Sequence, residues 1–357
     1  MINKILSLSK RLISIPSTKE NPLELKKVLG SAENELGKGF TVEKFKKNGV
    51  PSLLFYNTPR RPKKFKIILN AHLDVVPGKL EQYIPFEKNG KLFGRGASDM
   101  KAAAAVEILV FKEVAKKLNY PIALQLVTDE EIGGNNGTKY QIGRGVKCEF
   151  VIAGEPTNFG ISTKAKGIVW GKIKVKGVAA HGAYVWRGEN ALWKAKKILD
   201  RIEKAYPVFK KAVWETTFNL AKIDTSNQTF NKIPDDAVIS FDVRYIPEEK
   251  KTIVKKLSKL VGREGKMELI ETEPPHKADE DSLFIKNLRL ASQKVVGKPA
   301  PIIIKHGASD IRHFSEVDSP GVTFGLISGG LHTDNEWADI KSLGDYYNVL
   351  KVFLLSL

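Results

Sequence analysis

The sequence predicts an α/β protein whose main domain has a mostly parallel sheet flanked by helices, with a small α+β domain inserted into it. Three observations predict this fold class. Up to about residue 160, short apolar runs alternate with helical patterns, as in parallel α/β domains. From residue 165 to 275 the strand-like runs alternate apolar with polar residues, and after residue 276 the first pattern returns. The predicted domains are therefore 1–164, 165–275 and 276–357.

The first part of the chain contains apolar runs of strand length separated by longer helical segments. Such runs fit strands that are buried on both faces, and helices of this length connect parallel strands. An amphipathic helix is predicted at the N-terminus. The further predicted helices are 22–36 and 99–117, and the predicted buried strands are 65–71, 121–127 and 149–153.

The middle of the chain has the pattern of strands with one exposed face. Two strand–helix–strand units are predicted there, with strands at 167–178, near 215–223 and at 236–245, and with helices at 189–204 and 247–262. The last part returns to the α/β pattern. A helix at 281–295, a strand at 301–304 and a closing helix from residue 343 are predicted.

Length and composition limit the classes of protein to consider. A chain of 357 residues with 42% hydrophobic residues is large enough for two globular domains. Its only cysteine is Cys148, which excludes an intramolecular disulfide and fits a reducing compartment. The N-terminal segment lacks the features of a signal peptide, and no apolar run is long enough for a transmembrane helix. We therefore expect a cytoplasmic protein that does not enter a membrane.

The net charge of +18 raises the alternative of a nucleic-acid-binding protein. The lysines, however, are spread along the whole chain, and no zinc-finger, arginine-rich or aromatic-interleaved pattern accompanies them. A lysine-rich, solvated surface explains the charge, so we expect no specific nucleic-acid binding. A positive field of this size would also attract anionic substrates.

Residues typical of metal ligands follow several of the predicted strands. His72 and Asp74 come directly after one buried strand and point the same way on an extended chain. Glu130 and Glu131 follow the next strand and precede two glycines. Asp99, in a glycine-rich segment, precedes a predicted helix. Asp99 alone fits a helix N-cap as well as a metal ligand.

Two further segments complete the pattern. Glu155 follows a third apolar strand, and His332 lies in a segment that begins with two glycines near the C-terminus. Each of the five segments alone also has a plain structural explanation. Their joint occurrence, at the strand ends where α/β proteins build active sites, favours a metal centre.

Taken together, these segments resemble the aminoacylase, acetylornithine deacetylase, succinyl-diaminopimelate desuccinylase and glutamate carboxypeptidase family of di-zinc metallohydrolases. The resemblance runs from about residue 66 to residue 340. It implies two zinc ions, with cobalt or manganese as possible substitutes. The implied metal ligands are His72, Asp99, Glu131, Glu155 and His332, with Asp99 shared by both ions.

The resemblance also assigns the proton transfers. It implies that Glu130 is the general base, which accepts a proton from the attacking water and passes it to the leaving nitrogen. It further implies that the Asp74 carboxylate supports the His72 ring through its second nitrogen. No protein nucleophile is then required.

The inserted segment resembles the dimerisation (lid) domain of the same family. The resemblance implies that His181 acts on the oxyanion of the partner's site, and that Asn231 and Arg244 contact the substrate or the oxyanion. Gly307 and Arg312 match a loop that receives the substrate carboxylate. From the residues alone, His181 fits a hydrogen-bonded turn, and Arg312 fits an ordinary ion pair as well as a carboxylate contact.

The chain departs from the family pattern at a few positions. His306 stands where a glycine is common, Ser226 and Asn227 replace a frequent glycine pair, and Ala102 and Ala103 follow Lys101 where glycines are usual. None of these positions is an implied ligand. The departures before Gly307 and in the Ser226–Asn227 segment lie in the implied substrate wall. The resemblance therefore says least about substrate specificity.

The expected function is hydrolysis of the amide bond of an N-acyl amino acid or short peptide with a free carboxylate, by a cytoplasmic homodimer. A deacylase of the acetylornithine deacetylase or succinyl-diaminopimelate desuccinylase type is the first choice. A carboxypeptidase or dipeptidase with the same metals is the alternative. A non-catalytic metal-binding interaction protein is an alternative from another class, although it would have no use for Glu130.

Overall fold

Four parallel strands form the centre of the main sheet in the computed structural model, which describes all 357 residues. The helices of the chain are α1 Ile2–Ile13, α2 Pro22–Leu36, α3 Lys101–Val114, α4 Thr138–Gly143, α5 Ala191–Ala205, α6 Ile253–Val261, α7 Leu283–Val296, α8 Ile311–Phe314 and α9 Ile340–Leu355. The strands are β1 Thr41–Lys47, β2 Val50–Tyr56, β3 Phe65–His72, β4 Phe86–Lys88, β5 Lys91–Phe93, β6 Ile122–Val127, β7 Cys148–Ala153, β8 Ile161–Ala165, β9 Gly167–Lys176, β10 Thr217–Asp224, β11 Asp236–Tyr245, β12 Gly265–Glu273, β13 His276–Lys277, β14 Ile302–Lys305, β15 Gly321–Thr323, β16 Ser328–Gly329 and β17 Trp337–Asp339.

The chain divides into two compact units. The first unit contains residues 1–164, 277–304 and 309–357, and the second contains residues 165–276 and 305–308. The main sheet has the order β1-β2-β6-β3-β7-β15-β8-β13, with β14 paired to β8. Strands β6, β3, β7 and β15 pair in parallel, whereas β1, β2 and β8 are antiparallel to their neighbours. The predicted α/β class, with a mainly parallel sheet and flanking helices, is confirmed.

The core of the first unit forms because the parallel strands are apolar on both faces. Every residue of β6 is buried, and β3 is buried at all but one position. Helix α3 is buried along almost its whole length, because its first turns consist of alanines that allow a close approach to the strands and to α1 and α9. This packing places the carboxyl ends of β3, β6 and β7 at one edge of the sheet.

An edge hairpin, β1–β2, was not among the predicted strands. Its turn is Asn48–Gly49, and both residues have positive φ, at 49° and 85°. That dipeptide is typical of a two-residue turn between antiparallel strands, because both of its positions favour left-handed backbone. The sequence therefore contained a signal for this hairpin.

The second unit is a four-stranded antiparallel sheet in the order β10-β11-β9-β12. One face of β9 and β11 is buried at alternate residues against α5 and α6, while the other face is more exposed. Asn190 caps α5 by accepting the N–H groups of Leu192 and Trp193. The sequence prediction differs here in two places. It omitted β12, and the helix predicted at 247–262 begins only at Ile253 after a short 3₁₀ turn.

A small third sheet, β16-β17-β5-β4, belongs to the first unit. It pairs Trp337 with Phe93 and Ala338 with Leu92, so that two segments far apart in the sequence lie side by side. Helix α9 starts directly after β17 and is capped by the Asp339 carboxylate, which accepts the Ser342 N–H at 2.7 Å. No helix of the chain is long and apolar enough to cross a membrane.

The packing of the parallel strands makes a stability prediction. Leu69, fully buried in β3, will on replacement by alanine lower the free energy of unfolding by about 2–5 kcal/mol, because the lost methyl groups leave a cavity. Urea unfolding followed by circular dichroism measures this change. The control is Leu23→Ala, because Leu23 is 76% exposed and its loss will change the stability by less than about 0.5 kcal/mol. Equal losses in the two variants would contradict the described packing.

Candidate metal centre

Asp99 lies between two histidines. Its Oδ1 is 3.0 Å from Nε2 of His72, and its Oδ2 is 3.4 Å from Nε2 of His332. Each carboxylate oxygen therefore faces a different imidazole, which is the arrangement that a carboxylate shared by two cations requires. Met100, not Asp99, occupies the N-cap of α3, and no side chain caps that helix end. The Asp99–Met100 peptide bond is cis.

Two glutamates lie beside these histidines, and the mutually close ligand atoms form the groups His72–Glu130–Glu155 and His72–Asp99–Glu131. Oε2 of Glu131 is 3.4 Å from Nε2 of His332, and Oε1 of Glu155 is 3.9 Å from Nε2 of His72. Ligands at the corners of a zinc tetrahedron with bonds of about 2.0–2.1 Å lie roughly 3.4 Å apart, so these separations suit a metal ion. The donors are carboxylate oxygens and imidazole nitrogens, which is a set that zinc and similar divalent ions accept.

The strands explain why these side chains meet. His72 is the last residue of β3, Glu131 follows β6 after a short turn, and Glu155 follows β7. Since β3, β6 and β7 run in parallel, their carboxyl ends reach the same edge of the sheet. The two remaining ligand candidates come from loops: Asp99 from the segment between β5 and α3, and His332 from the hairpin loop between β16 and β17.

Asp74 links the strand end to the turn after β6. Nδ1 of His72 lies 3.1 Å from the main-chain oxygen of Asp74 and 3.6 Å from its Oδ1. The other carboxylate oxygen of Asp74 accepts the N–H of Glu131 at 3.0 Å. Because its Nδ1 is turned to Asp74, the His72 ring directs Nε2 toward Asp99.

Glu130 lies beside the ligand candidates and is partly buried. Its side chain is 14% exposed, and one of its carboxylate oxygens lies within 4.8 Å of ligand atoms of both His72 and Glu155. Burial, together with the charge of Glu155, raises the pKa of Glu130 well above its ordinary value, although the nearby His72 opposes the shift. A carboxyl group with a raised pKa accepts and returns protons closer to neutral pH.

The turn that carries the two glutamates depends on Gly134. This residue has φ +65°, and a Cβ atom added there would lie 2.0 Å from a carboxylate oxygen of Asp310. The carbonyl of the preceding residue, Gly133, accepts a hydrogen bond from Nη2 of Arg312 at 2.8 Å and lies 3.0 Å from Nε2 of His313. Helix α8 therefore holds this turn in place.

Arg312 is only 3% exposed, and its Nη1 lies 3.9 Å from Oε1 of Glu130. The sequence left two roles open for this arginine, a contact with the substrate carboxylate and an ordinary ion pair. Its contacts with Gly133 and Glu130 are those of the ion-pair alternative. Its role in substrate binding stays a prediction.

The remaining predicted site residues lie in the second unit. His181 is exposed in the loop after β9, where its Nδ1 accepts the N–H of Ala183 at 3.2 Å. Asn231 is also exposed, and its carbonyl accepts the N–H of Gly182 at 2.6 Å.

Arg244, on β11, forms a bidentate ion pair with Asp242, with distances of 2.9 Å and 3.0 Å. Gly307 is exposed, and nothing lies within 4 Å of the position that its Cβ would take. The roles predicted for these residues depend on substrate or on a partner subunit and stay predictions.

Two side chains at the site had no predicted role. Arg95 and Glu336 are 3% and 1% exposed, and they form an ion pair at 2.7 Å beside the Asp99 segment. Both occur within the glycine-containing segments that carry Asp99 and His332. The available signal was their position in those segments, because a charged residue is rarely buried without a partner.

The two histidines among the ligand candidates have raised pKa values. Burial opposes protonation of His72, but the carboxylates of Asp74 and Asp99 outweigh it and raise the pKa of the ring well above its usual value. Hydrogen bonds to Asp99 and Glu131 raise the pKa of His332 to about 10. Without a cation, protons on these two rings balance the charge of the carboxylates.

The profile of Peptidase family M20/M25/M40 matches residues 68–356. The chain belongs to this family, so the resemblance inferred from its motifs is confirmed. It is a metal-dependent hydrolase that acts on amide bonds, as the sequence predicted. This result favours the catalytic prediction over the non-catalytic alternative.

Curated proteins with similar sequences are named succinyl-diaminopimelate desuccinylase. The chain is 30% identical over 318 residues to a succinyl-diaminopimelate desuccinylase of Rickettsia felis, covering 80% of this chain and 82% of that protein. It is 27% identical over 374 residues to the protein of the same name from Bordetella parapertussis, covering 97% and 96%. Among solved structures, aminopeptidase PepT from Bacillus cereus has the same fold, with a TM-score of 0.81 and 20% identity over 99% of this chain and 98% of that one.

The raised pKa of His332 makes a prediction about metal binding. At about pH 7 this ring is protonated without metal, and it must lose that proton to become a ligand. Binding of Zn²⁺ to chelator-treated protein will therefore release at least one proton per chain, and the affinity will rise with pH until the pH approaches about 10. Isothermal titration calorimetry in buffers with different ionisation enthalpies measures the number released.

Two variants sharpen this measurement. His332→Ala will release about one proton fewer, whereas His181→Ala, which changes an exposed residue of the second unit, will leave the number unchanged. Zinc binding without proton release would contradict the participation of His332.

Proposed function

We propose that this chain is a two-zinc deacylase that hydrolyses the amide bond of an N-acyl amino acid with a free carboxylate. Its type is that of acetylornithine deacetylase and succinyl-diaminopimelate desuccinylase. The observation that carries the proposal is Asp99, whose two oxygens face two different histidines at 3.0 Å and 3.4 Å. The desuccinylase relatives support the choice of an acylated amino acid as the substrate.

In this proposal, His72, Asp99 and Glu155 hold one ion, and Asp99, Glu131 and His332 hold the other. Zinc is the proposed metal, because mixed nitrogen and oxygen ligands suit it, and cobalt or manganese can replace it. When bound, such ions polarise the amide carbonyl and lower the pKa of a water molecule.

Glu130 is the proposed general base. It is not needed as a ligand, and its carboxylate lies close to ligand atoms of both His72 and Glu155. It accepts the proton of the attacking water and delivers it to the leaving nitrogen. Arg312 lies 3.9 Å from Glu130 and limits the movement of its carboxylate.

The substrate side of the proposal depends on the second unit. His181, with Nδ1 turned to its own loop, has Nε2 available to donate a hydrogen bond to the oxyanion. Asn231, Arg244 and Gly307 are proposed to contact the substrate. We propose that the protein is a cytoplasmic homodimer in which His181 serves the partner's site, consistent with its exposed position and with the single, buried Cys148.

The alternative within the class is a carboxypeptidase or dipeptidase with the same metal site. A matched panel separates the two: N-succinyl and N-acetyl amino acids against dipeptides of the same amino acid. We expect the zinc-loaded protein to release the acyl acid and to cleave N-acyl substrates faster than dipeptides. Release of two amino acids as the main products would replace the deacylase by the peptidase.

Replacement of Glu130 by glutamine tests the mechanism. The amide cannot accept a proton, so kcat will fall by about 10²–10⁴-fold, while both zinc ions stay bound because Glu130 is not a ligand. Steady-state kinetics and metal analysis of the same sample measure the two effects. A variant that retains full kcat with its metal bound would refute the proposed base, and loss of metal would show that Glu130 is a ligand.

Mixed dimers test the role of His181. His181→Ala will lower kcat by about 10²–10³-fold, as removal of a donor to an oxyanion does in other hydrolases. If His181 acts across the dimer, mixing this inactive variant with inactive Glu130→Gln will restore activity, because some sites then combine an intact Glu130 with an intact His181. Each variant mixed with itself is the control. Mixing without recovery, when subunit exchange is demonstrated, would contradict action in trans.

A further inference from the structure

Two loops supply the ligand candidates that do not come from the parallel strands. Residues 94–99 lie between β5 and α3 and end with Asp99, whereas residues 330–336 lie between β16 and β17 and include His332. Neither loop is flanked by strands of the main sheet, because β5, β16 and β17 belong to the small third sheet. The distance of 3.4 Å between His332 and Asp99 therefore depends on how the two loops are joined.

Glu336 joins them with its carboxylate. Its Oε1 accepts the N–H groups of Gly96, Ser98 and Asp99 at 3.0, 2.9 and 3.0 Å. Its Oε2 accepts a hydrogen bond from Nη1 of Arg95 at 2.7 Å. One side chain of the second loop thus fixes four groups of the first, including the main chain of Asp99 itself.

These contacts are buried and charge-assisted, since Arg95 and Glu336 are 3% and 1% exposed. The main chain adds to them, because the N–H of Gly94 donates to the carbonyl of Glu336 at 3.1 Å. By contrast, the side chain of His332 is 47% exposed, and its polar contacts are with Asp99 and Glu131. The position of His332 relative to Asp99 therefore depends on the backbone of its loop.

We infer that Arg95 and Glu336 are positioning residues that hold Asp99 and His332 at the spacing required for metal binding, and we call them the Arg95–Glu336 clamp. The inference rests on the proposed ligand set. The clamp acts through the loops and does not contact the ions or the substrate. Residues that orient metal ligands in this way contribute about 10–100-fold to metal affinity.

Glu336→Gln is the sharpest test, because the amide has one acceptor oxygen and one NH₂ group. If the oxygen faces the three N–H groups, the NH₂ group faces Arg95; if it faces Arg95, the NH₂ group faces the three N–H donors. Either orientation places donors against donors. Glu336→Asp and Arg95→Lys keep the charges with altered reach, and they serve if the amide variant does not fold.

The matched control is Asn57→Ala. The Asn57 side chain also joins several main-chain groups, since it accepts the N–H of Ile122 and donates to the carbonyls of Ala115 and Tyr120. It follows β2 and lies beside the start of β6, whereas the proposed ligands lie at or beyond the carboxyl ends of the parallel strands or in the two loops. Its loss destabilises the first unit without touching either loop.

Cobalt titration of the chelator-treated full-length protein, followed by visible absorption, gives the affinity, and thermal unfolding without metal gives the stability. We expect Glu336→Gln to bind at least one Co²⁺ about 10–100-fold more weakly than the unmodified chain, with Glu336→Asp and Arg95→Lys in between. Asn57→Ala will lower the unfolding temperature but keep the cobalt affinity of the folded protein.

Two outcomes would overturn the clamp: unchanged cobalt affinity in folded Glu336→Gln, or an equal loss of affinity in Asn57→Ala. Absence of cobalt binding by the unmodified chain would instead overturn the proposed metal centre, and the clamp with it. The two failures are therefore distinguishable in one titration series.

Discussion

The site depends on one carboxylate that faces two imidazoles. Asp99 can do this only if the chain brings residues 72 and 332 to opposite sides of it, and their Nε2 atoms lie 3.0 Å and 3.4 Å from its oxygens. The parallel strands supply three of the necessary side chains, at their carboxyl ends or in the segments that directly follow. The other two require the small sheet β16-β17-β5-β4, which places the His332 hairpin beside the segment that leads to Asp99. Two separate parts of the fold, the parallel strands and the small sheet, therefore bring the five side chains together.

Burial strengthens the repulsion between the carboxylates of this site, and it also raises the pKa values on which proton transfer depends. Glu130 and Glu155 lie close together in a region shielded from water, where like charges repel more strongly than in solution. The pKa of Glu130 is raised because burial and Glu155 both disfavour its charged form. Asp129, one residue earlier, has its pKa raised to about 7 by burial and by the charge of Asp310. Divalent cations or protons on the histidines offset this concentration of negative charge, so metal and proton compete for the same residues.

The parts of the structure that were predictable from the sequence are those with a regular apolar pattern. Buried strands such as β3 and β6 were predicted within a residue or two, because an unbroken apolar run between helical segments has few alternatives. The hairpin β1–β2 was missed although Asn48–Gly49 marks its turn. Strand β12 was missed because only one of its residues is buried and it is rich in charged residues, so its sequence lacks the alternation that reveals β9.

The residues of the site also divide into those that the sequence reveals and those that only the folded chain reveals. Ligand candidates such as His72 and Glu155 could be proposed from the sequence because each follows a predicted strand. Glu336 was not, since a glutamate that accepts three N–H groups has the same local sequence as a solvated one. Arg312 left two roles open for a similar reason, because only the folded chain shows that its guanidinium is buried against Gly133. Long-range partners decide such roles, and no local pattern encodes them.

The positions where the chain departs from the family pattern show why metal binding transfers between relatives more readily than specificity. In the first unit, Ala102 and Ala103 are fully buried in α3, so their methyl groups lie in the core and not at the ligand candidates. In the second unit, the N–H and the hydroxyl of Ser226 donate hydrogen bonds to the Asp236 carboxylate, which joins the loop before β11 to the start of that strand.

His306 differs from these positions, because its ring lies 6.0 Å from that of Trp214, and burial and the charge of Lys166 lower its pKa. An imidazole at this position adds bulk and hydrogen-bonding groups where a glycine would leave space. A metal ion imposes nearly the same ligand geometry on every member of a family, whereas a substrate wall is free to change its chemistry one side chain at a time.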